Sequence, residues 1–332
     1  MRLFRFAFLF LLFSLSTTVS GQSIIQTTLS PNQVPPPPSN WTKKNKLGFD
    51  ISEIAFLNWN AGGTSSISGL FKGEFGRIYN KGNHRWSNEL IVKYGLNKQD
   101  GIELRKTDDA LLINSTYGFR KDTTSNWFYS AKFNFNTQFT NGYNYPNLDV
   151  AISRPFAPAY VFLGAGAENS NKEKNRTFYF SPITLKTTLV LDQYLANQGA
   201  FGVKKAVYIV DPNDPTQKIL VEEGDQVKAE FGMLFTGYMK SEVYKNIFFE
   251  NRLSLYSDYL NKFGNVDVDY DTRLDLVVNA YVKANIGVHL LYDDDIKTKK
   301  EVVDDAGATK QVNDGPRVQL KQVLGVGVVY AF

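Results

Sequence analysis

The chain of 332 residues contains no cysteine, which excludes a disulfide framework, a thiol nucleophile and a thiolate zinc site. Histidine is scarce: only His84 and His289 are available to a Ser-His-Asp hydrolase. The apolar run of residues 3–15 is too short to cross a membrane as a helix, and no other stretch is apolar enough. Neither charge dominates, because 37 basic residues against 33 acidic ones leave +4, well mixed along the chain. Nucleic acid is therefore not an expected partner. A mean hydropathy of −0.27 would suit a soluble protein. It suits a membrane barrel equally, since polar lumen residues dilute the lipid-facing ones.

The two ends carry the strongest positive signals. Arg2 and Arg5 flank the start of the apolar run, and Ser16-Thr17-Thr18-Val19-Ser20-Gly21 follows it. A basic start, a short apolar core and small residues near Gly21 are expected of a signal peptide over residues 1–21. With no cysteine at the cut, no lipid anchor is expected. At the other end, Val318, Leu320, Leu324, Val326, Val328, Tyr330 and Phe332 alternate with Gln319, Lys321, Val323, Gly325, Gly327, Val329 and Ala331. Strand side chains point to opposite faces in turn, so one face is oily and the other polar or small. Gln322 breaks the pattern. A soluble sandwich strand can alternate in this way, but such an edge left open invites aggregation. A membrane barrel needs it, to seal its last strand against its first. Closing on Phe332, the stretch resembles the C-terminal assembly signal of bacterial outer-membrane proteins.

Residues 22–46 read as a disordered arm, with Pro35 to Pro38 favouring a polyproline II rod. From residue 47 onward, extended segments succeed one another. Alternation is clear over 86–97, 127–139, 227–240 and 274–290, the last unusually long. Further segments lie at 66–77, 109–119, 158–168, 176–191 and 246–260, and Pro182 marks a bulge or an edge. Short turns at 80–83, 121–126, 169–175 and 241–245 contrast with long connections at 98–108, 140–157, 192–226, 261–271 and 293–317. Ten strands follow from residue 66; residues 47–57 add an eleventh. A twelfth within 206–222 would restore the even number of bacterial barrels. The expected fold is all-β, a closed antiparallel transmembrane β-barrel of about 10–12 strands over residues 47–332. Aromatics make up 14% of the chain, enough for girdles at both membrane interfaces.

Several stretches have a family look: Asn58-Trp59-Asn60-Ala61-Gly62-Gly63, Arg105-Lys106-Thr107-Asp108-Asp109, Gly142-Tyr143-Asn144-Tyr145-Pro146, and Asp192-Gln193-Tyr194-Leu195-Ala196 with Gly199-Ala200-Phe201-Gly202-Val203. Together they resemble the uncharacterised domain-of-unknown-function family 3078 of Bacteroidota. The resemblance implies an outer-membrane β-barrel of a Gram-negative bacterium and carries over no activity, ligand or catalytic residue. The motifs themselves are turn chemistry, with Gly62, Gly63 and Gly199 permitting backbone conformations closed to other residues.

Arg105, Lys106, Asp108 and Asp109 are candidates for a charged latch at the barrel mouth, against a plain solvated loop. The inward faces gather Lys228, Glu230, Lys240, Glu250, Arg252, Asp258, Asp275, Lys283 and Lys321. Both signs are present, so a plug of ion pairs or a narrow lumen is expected over a wide pore. His289 is expected to face inward near a strand end, and His84 to lie solvated in a turn. Asp267, Asp269 and Asp271 alternate, which suggests either Ca at an outer rim or pairing with lysines; no other cofactor is expected. The expected role is a narrow channel, or a transporter or binder of a small polar or amphiphilic ligand. A non-conducting envelope barrel that docks a periplasmic partner is the alternative, and an envelope hydrolase the remote one. Outer-membrane lipid and the barrel assembly machinery are the expected partners of a monomer.

Overall fold

The computed structural model describes residues 39–54, 64–261, 263–303 and 309–332. Residues 1–21, where a signal peptide is expected, nearly all of the Pro-rich stretch and the Asn58-to-Gly63 motif lie outside the described residues. The chain divides into Met1–Ser39 and Asn40–Phe332, and every described strand belongs to the second unit.

Eighteen strands are present among the described residues. They are β1 (Trp41–Ile54), β2 (Ser66–Lys81), β3 (His84–Gln99), β4 (Arg105–Phe119), β5 (Trp127–Thr137), β6 (Gly142–Tyr143), β7 (Ala151–Ser153), β8 (Ala159–Asn171) and β9 (Arg176–Leu189). After a short helix α1 (Gln193–Asn197) come β10 (Val207–Val210), β11 (Lys218–Glu222), β12 (Val227–Tyr244), β13 (Ile247–Asp258) and β14 (Asp267–Val277). The remainder are β15 (Val282–Tyr292), β16 (Lys297–Val303), β17 (Thr309–Pro316) and β18 (Gln319–Ala331). Twelve of them close into one barrel in the order β1-β18-β15-β14-β13-β12-β9-β8-β5-β4-β3-β2. Every wall pairing is antiparallel, and β18 seals against β1.

The pleat sorts side chains as the sequence alternation demands. Phe49 opposes Val328 and Asp50 opposes Gly327 in the β1–β18 register. Phe49 and Val328 point outward and are exposed, whereas Asp50 points into the lumen and is buried. A ring of outward aromatics follows the rim of the short turns, where Trp41 packs against Tyr79 at 5.2 Å and Trp86 at 5.9 Å. Tyr330 stacks on Phe332 at 5.5 Å on the closing strand.

Three expectations about the strands need correcting. The first strand begins at Trp41 rather than at residue 47, because Trp41 to Lys46 find partners from Tyr79 to Glu74 on β2. Residues 274–290 are not one strand: β14 ends at Val277 and β15 starts at Val282. Asn279 makes the turn, its Oδ1 accepting from the backbone N–H of Tyr281 and Val282. Even-numbered residues face outward on both strands of this hairpin, so the apolar rhythm runs through the turn in phase and hides it. The twelfth wall strand is therefore β14, and residues 206–222 supply the separate hairpin β10–β11 instead. Pro182 does mark a bulge, since the register of β9 shifts there against both β8 and β12.

With twelve strands, the ends of the barrel lie on the rim of the short turns, the turn rim. All long connections emerge at the opposite, loop rim. The longest described one, between β9 and β12, holds α1 and packs Val190, Leu195, Ala196 and Val203 into a small core with Ala157 of the β5–β8 connection. Asp192 caps α1 through a bond from Leu195 N–H, and its other oxygen meets Arg154 at 2.7 Å. Gly199 turns the chain with φ of 69°, as its residue type suggested.

Candidate functional site

The lumen is the one continuous polar surface of the barrel, built by every second residue of the twelve wall strands. Its most heavily bonded group is Glu250 on β13. That carboxylate accepts from Lys240 at 2.8 Å, Arg252 at 3.1 Å and Arg273 at 3.2 Å. Arg273 and Lys240 share Asp275 as a second anion, at 3.0 and 3.6 Å. Neighbouring strands supply these groups because buried carboxylates such as Glu250 and Asp275 are tolerated only when paired. Arg252 then reaches Glu89 on β3 at 4.0 Å. β13 and β3 stand six places apart in a ring of twelve, so this contact joins opposite walls. Tyr238 lies under the Arg252 guanidinium at 4.9 Å, and Asn114 donates to Glu89 at 3.1 Å. An apolar layer of Tyr179, Leu234 and Tyr256, with Phe162 packed against it, fills further space inside.

At the loop mouth the charges are mostly negative. Lys186, nearly sealed from solvent, meets Asp267 at 2.6 Å, Asp293 at 3.5 Å and Glu230 at 3.6 Å. Lys228 joins Glu230 at 3.3 Å and also bonds Asp295. Asp267, Asp293 and Asp294 could offer oxygens to a cation, all within 4.8 Å of one another. The Lys186 ammonium already sits on two of the three, so an ion there would have to compete with it. The cavity beside them, of about 40 Å³, has room for little more than a water.

The remaining candidate residues fall into separate places. Asp269 and Asp271 share the inner face of β14 with Asp267 but do not converge on it. Asp269 takes His289 Nε2 at 2.8 Å, and Asp271 stands opposite His289 and Arg252 in the register. His289 faces inward as expected. His84 instead opens β3 with its ring directed outward, Nδ1 at 2.6 Å from the Tyr117 hydroxyl. Among the described residues, neither histidine has a serine hydroxyl as a hydrogen-bond partner. Lys283 faces the lumen opposite Gly327 and Val277.

The sequence from Arg105 to Asp109 divides into two devices. Asp108 points inward and binds Lys321 of β18 at 2.5 Å across the lumen. Asp109 points the other way and is almost wholly buried, accepting from Lys106 at 2.9 Å and from Phe139 N–H, Thr140 N–H and the Thr140 hydroxyl. It thereby fastens the β5–β8 connection to β4. Tyr145 from that connection completes the fastening: its hydroxyl accepts from Lys106 N–H, and its ring lies 5.1 Å from the Arg105 guanidinium. Two of the recurrent motifs are thus partners in space.

Lys186, Glu89, Arg273 and Asp293 are not singled out by the sequence. Glu89 and Arg273 lie on inward faces that alternation exposes. Lys186 is hidden by the Pro182 bulge, which switches the inward residues of β9 from odd to even numbers. Asp293 sits beyond β15, where no periodicity applies.

The family described as "Protein of unknown function (DUF3078)" matches residues 51–143. No curated protein matches the chain. Among solved structures, an outer membrane channel from Pseudomonas putida F1 is similar at 11% identity, over 90% of this chain and 100% of that one, with a TM-score of 0.40. The translocator domain of autotransporter NalP from Neisseria meningitidis is similar at 9% identity, over 88% of each chain, with a TM-score of 0.34. The beta domain of the Bordetella autotransporter Brka is similar at 9% identity, over 88% of this chain and 99% of that one, with a TM-score of 0.30.

Proposed function

We propose that this chain is an outer-membrane β-barrel of a Gram-negative envelope whose lumen is closed at rest and binds a small polar solute. The exposed apolar side chains outside the wall, with aromatics along the turn rim, suit lipid surroundings. No helix among the described residues is long and apolar enough to cross a membrane, so any crossing falls to the strands. The observation that carries the reading is the contact between Arg252 and Glu89 from opposite walls. A twelve-stranded barrel is narrow enough for long side chains to bridge. The bridge is itself a switch, since a charged pair separates more readily than an apolar layer once solute or water replaces its partners.

Single-channel recording in planar bilayers tests this. The wild-type barrel is expected to be electrically silent or to show only rare, small steps. The double variant Glu89→Ala/Arg252→Ala, shown to be folded by heat-modifiability on a gel, is expected to give frequent steps. A steady large conductance in the wild type, or a double variant as silent as the parent, would reject the reading.

A further inference from the structure

The turn mouth holds a second polar site, and it is open. A cavity of about 350 Å³ lies there, bordered by the β2–β3, β4–β5 and β8–β9 turns. That volume falls within the range of small-molecule sites, about 300–1,000 Å³. Two guanidiniums converge on one ring at its wall: Arg120 lies 5.2 Å from the Phe128 centroid and Arg85 5.9 Å from it. Arg85 is partly engaged, by Glu168 at 3.2 Å and Ser170 at 2.5 Å. Among the described residues, the Arg120 guanidinium donates only to the Ser125 carbonyl, at 2.9 Å. Neither Arg120 nor Lys172 has a carboxylate in salt-bridge reach among the described residues. Burial, then the charges of Arg85, Arg120 and Lys44, hold the Lys172 ammonium below its ordinary range. Asn80, Thr124 and Asn126 add neutral donors and acceptors to the lining, and Glu173 is its one carboxylate.

We infer that this cavity binds the phosphate group of a small, hydroxyl-bearing phosphate monoester at the turn mouth. Two cations without carboxylate partners match the nearly double charge of such a group near neutral pH. A planar guanidinium fixed over an aromatic ring presents its donors in a fork suited to phosphate oxygens. The asparagines and Thr124 are placed for hydroxyl groups on the rest of the solute. Glu173 disfavours an unneeded second anionic group, so a monoester fits better than a bisphosphate. Arg85, Phe128 and Ser170 face the lumen by register, which favours a dissolved solute over a lipid headgroup in the outer wall. The inference rests on the lumen's being a solute-binding compartment, but binding can be read without any conductance.

The test is calorimetric titration of the folded barrel in neutral detergent with a hexose phosphate, the unphosphorylated hexose and inorganic phosphate. The hexose phosphate is expected to bind, more tightly than inorganic phosphate, and the plain hexose not at all. Arg120→Ala/Lys172→Ala should weaken it at least tenfold, whereas Lys204→Ala, whose ion pair with Glu222 lies in the β9–β12 connection, should leave it unchanged. No binding by the wild type, or equal binding by the double variant, overturns the site. Displacement of the hexose phosphate by phosphatidylglycerol added to the micelles would overturn the dissolved solute as its ligand. A Glu89→Ala/Arg252→Ala variant as silent as the parent, with hexose phosphate binding intact, would count against the gated path alone.

Discussion

The two mouths of this barrel solve opposite electrostatic problems. At the loop mouth, Glu230, Asp267, Asp293 and Asp295 crowd around Lys186 and Lys228, and a cavity of about 40 Å³ lies beside Glu230, Asp267 and Asp295. At the turn mouth, Arg120 and Lys172 keep no carboxylate partner among the described residues and a cavity of about 350 Å³ remains. Buried charges must recruit the other sign, whereas exposed ones can stay solvated. The loop mouth recruits; at the turn mouth Lys172 is exposed and Arg120 partly so. A filled, self-neutralised mouth is structural, while an open mouth with spare charge is where a solute of opposite charge gains most.

Breaking the loop mouth should have the largest effect. Lys186→Ala leaves three carboxylates facing one another without their shared cation, and should cost about 3–5 kcal/mol. It is read as a lower temperature for loss of the folded band on a heat-modifiability gel. Loss of less than about 1 kcal/mol would mean that these acids are solvated and the mouth is not sealed.

Asp109→Ala comes next. It orphans the Phe139 and Thr140 N–H groups and leaves Lys106 only the Thr140 carbonyl, a cost of about 1–3 kcal/mol. Because the loss is local to one connection, proteolysis within residues 138–158 should rise well before the barrel itself unfolds.

The turn mouth sharpens the contrast from the other side. Lys172→Ala removes a cation that no carboxylate holds, so stability should change by no more than about 0.5 kcal/mol. A marked destabilisation would show that Lys172 belongs to the scaffold. A comparably small effect is expected from His289→Ala: the Asp269 carboxylate it meets is half-exposed, and such pairs contribute about 0–1 kcal/mol. Its thermal stability should be close to that of the parent at neutral pH.

Much of the wall is legible in the sequence because a barrel writes its two surroundings into alternate residues. The inward placement of Glu230, Glu250, Arg252, Asp275 and Lys321 follows from parity along single strands. Parity fails where a strand slips or turns without a change of rhythm. Pro182 hides Lys186 in the first way, and Asn279 hides the β14–β15 hairpin in the second. The long connections carry no such periodicity, which is why α1 and its small core around Leu195 are invisible to it. Within Arg105 to Asp109, Asp108 and Asp109 point to opposite faces and serve different partners.

The sequence by itself determined the class of fold and which residues turn inward, since alternation is a local property of extended backbone. Only the tertiary structure decided which inward charges meet. Glu89 and Arg252 are far apart in the chain and come together because closure sets β3 opposite β13, a distance fixed by the number of strands in the ring. The spare cations of the turn mouth are a matter of closure in the same way: whether a lysine finds a carboxylate depends on what the facing wall presents at that height.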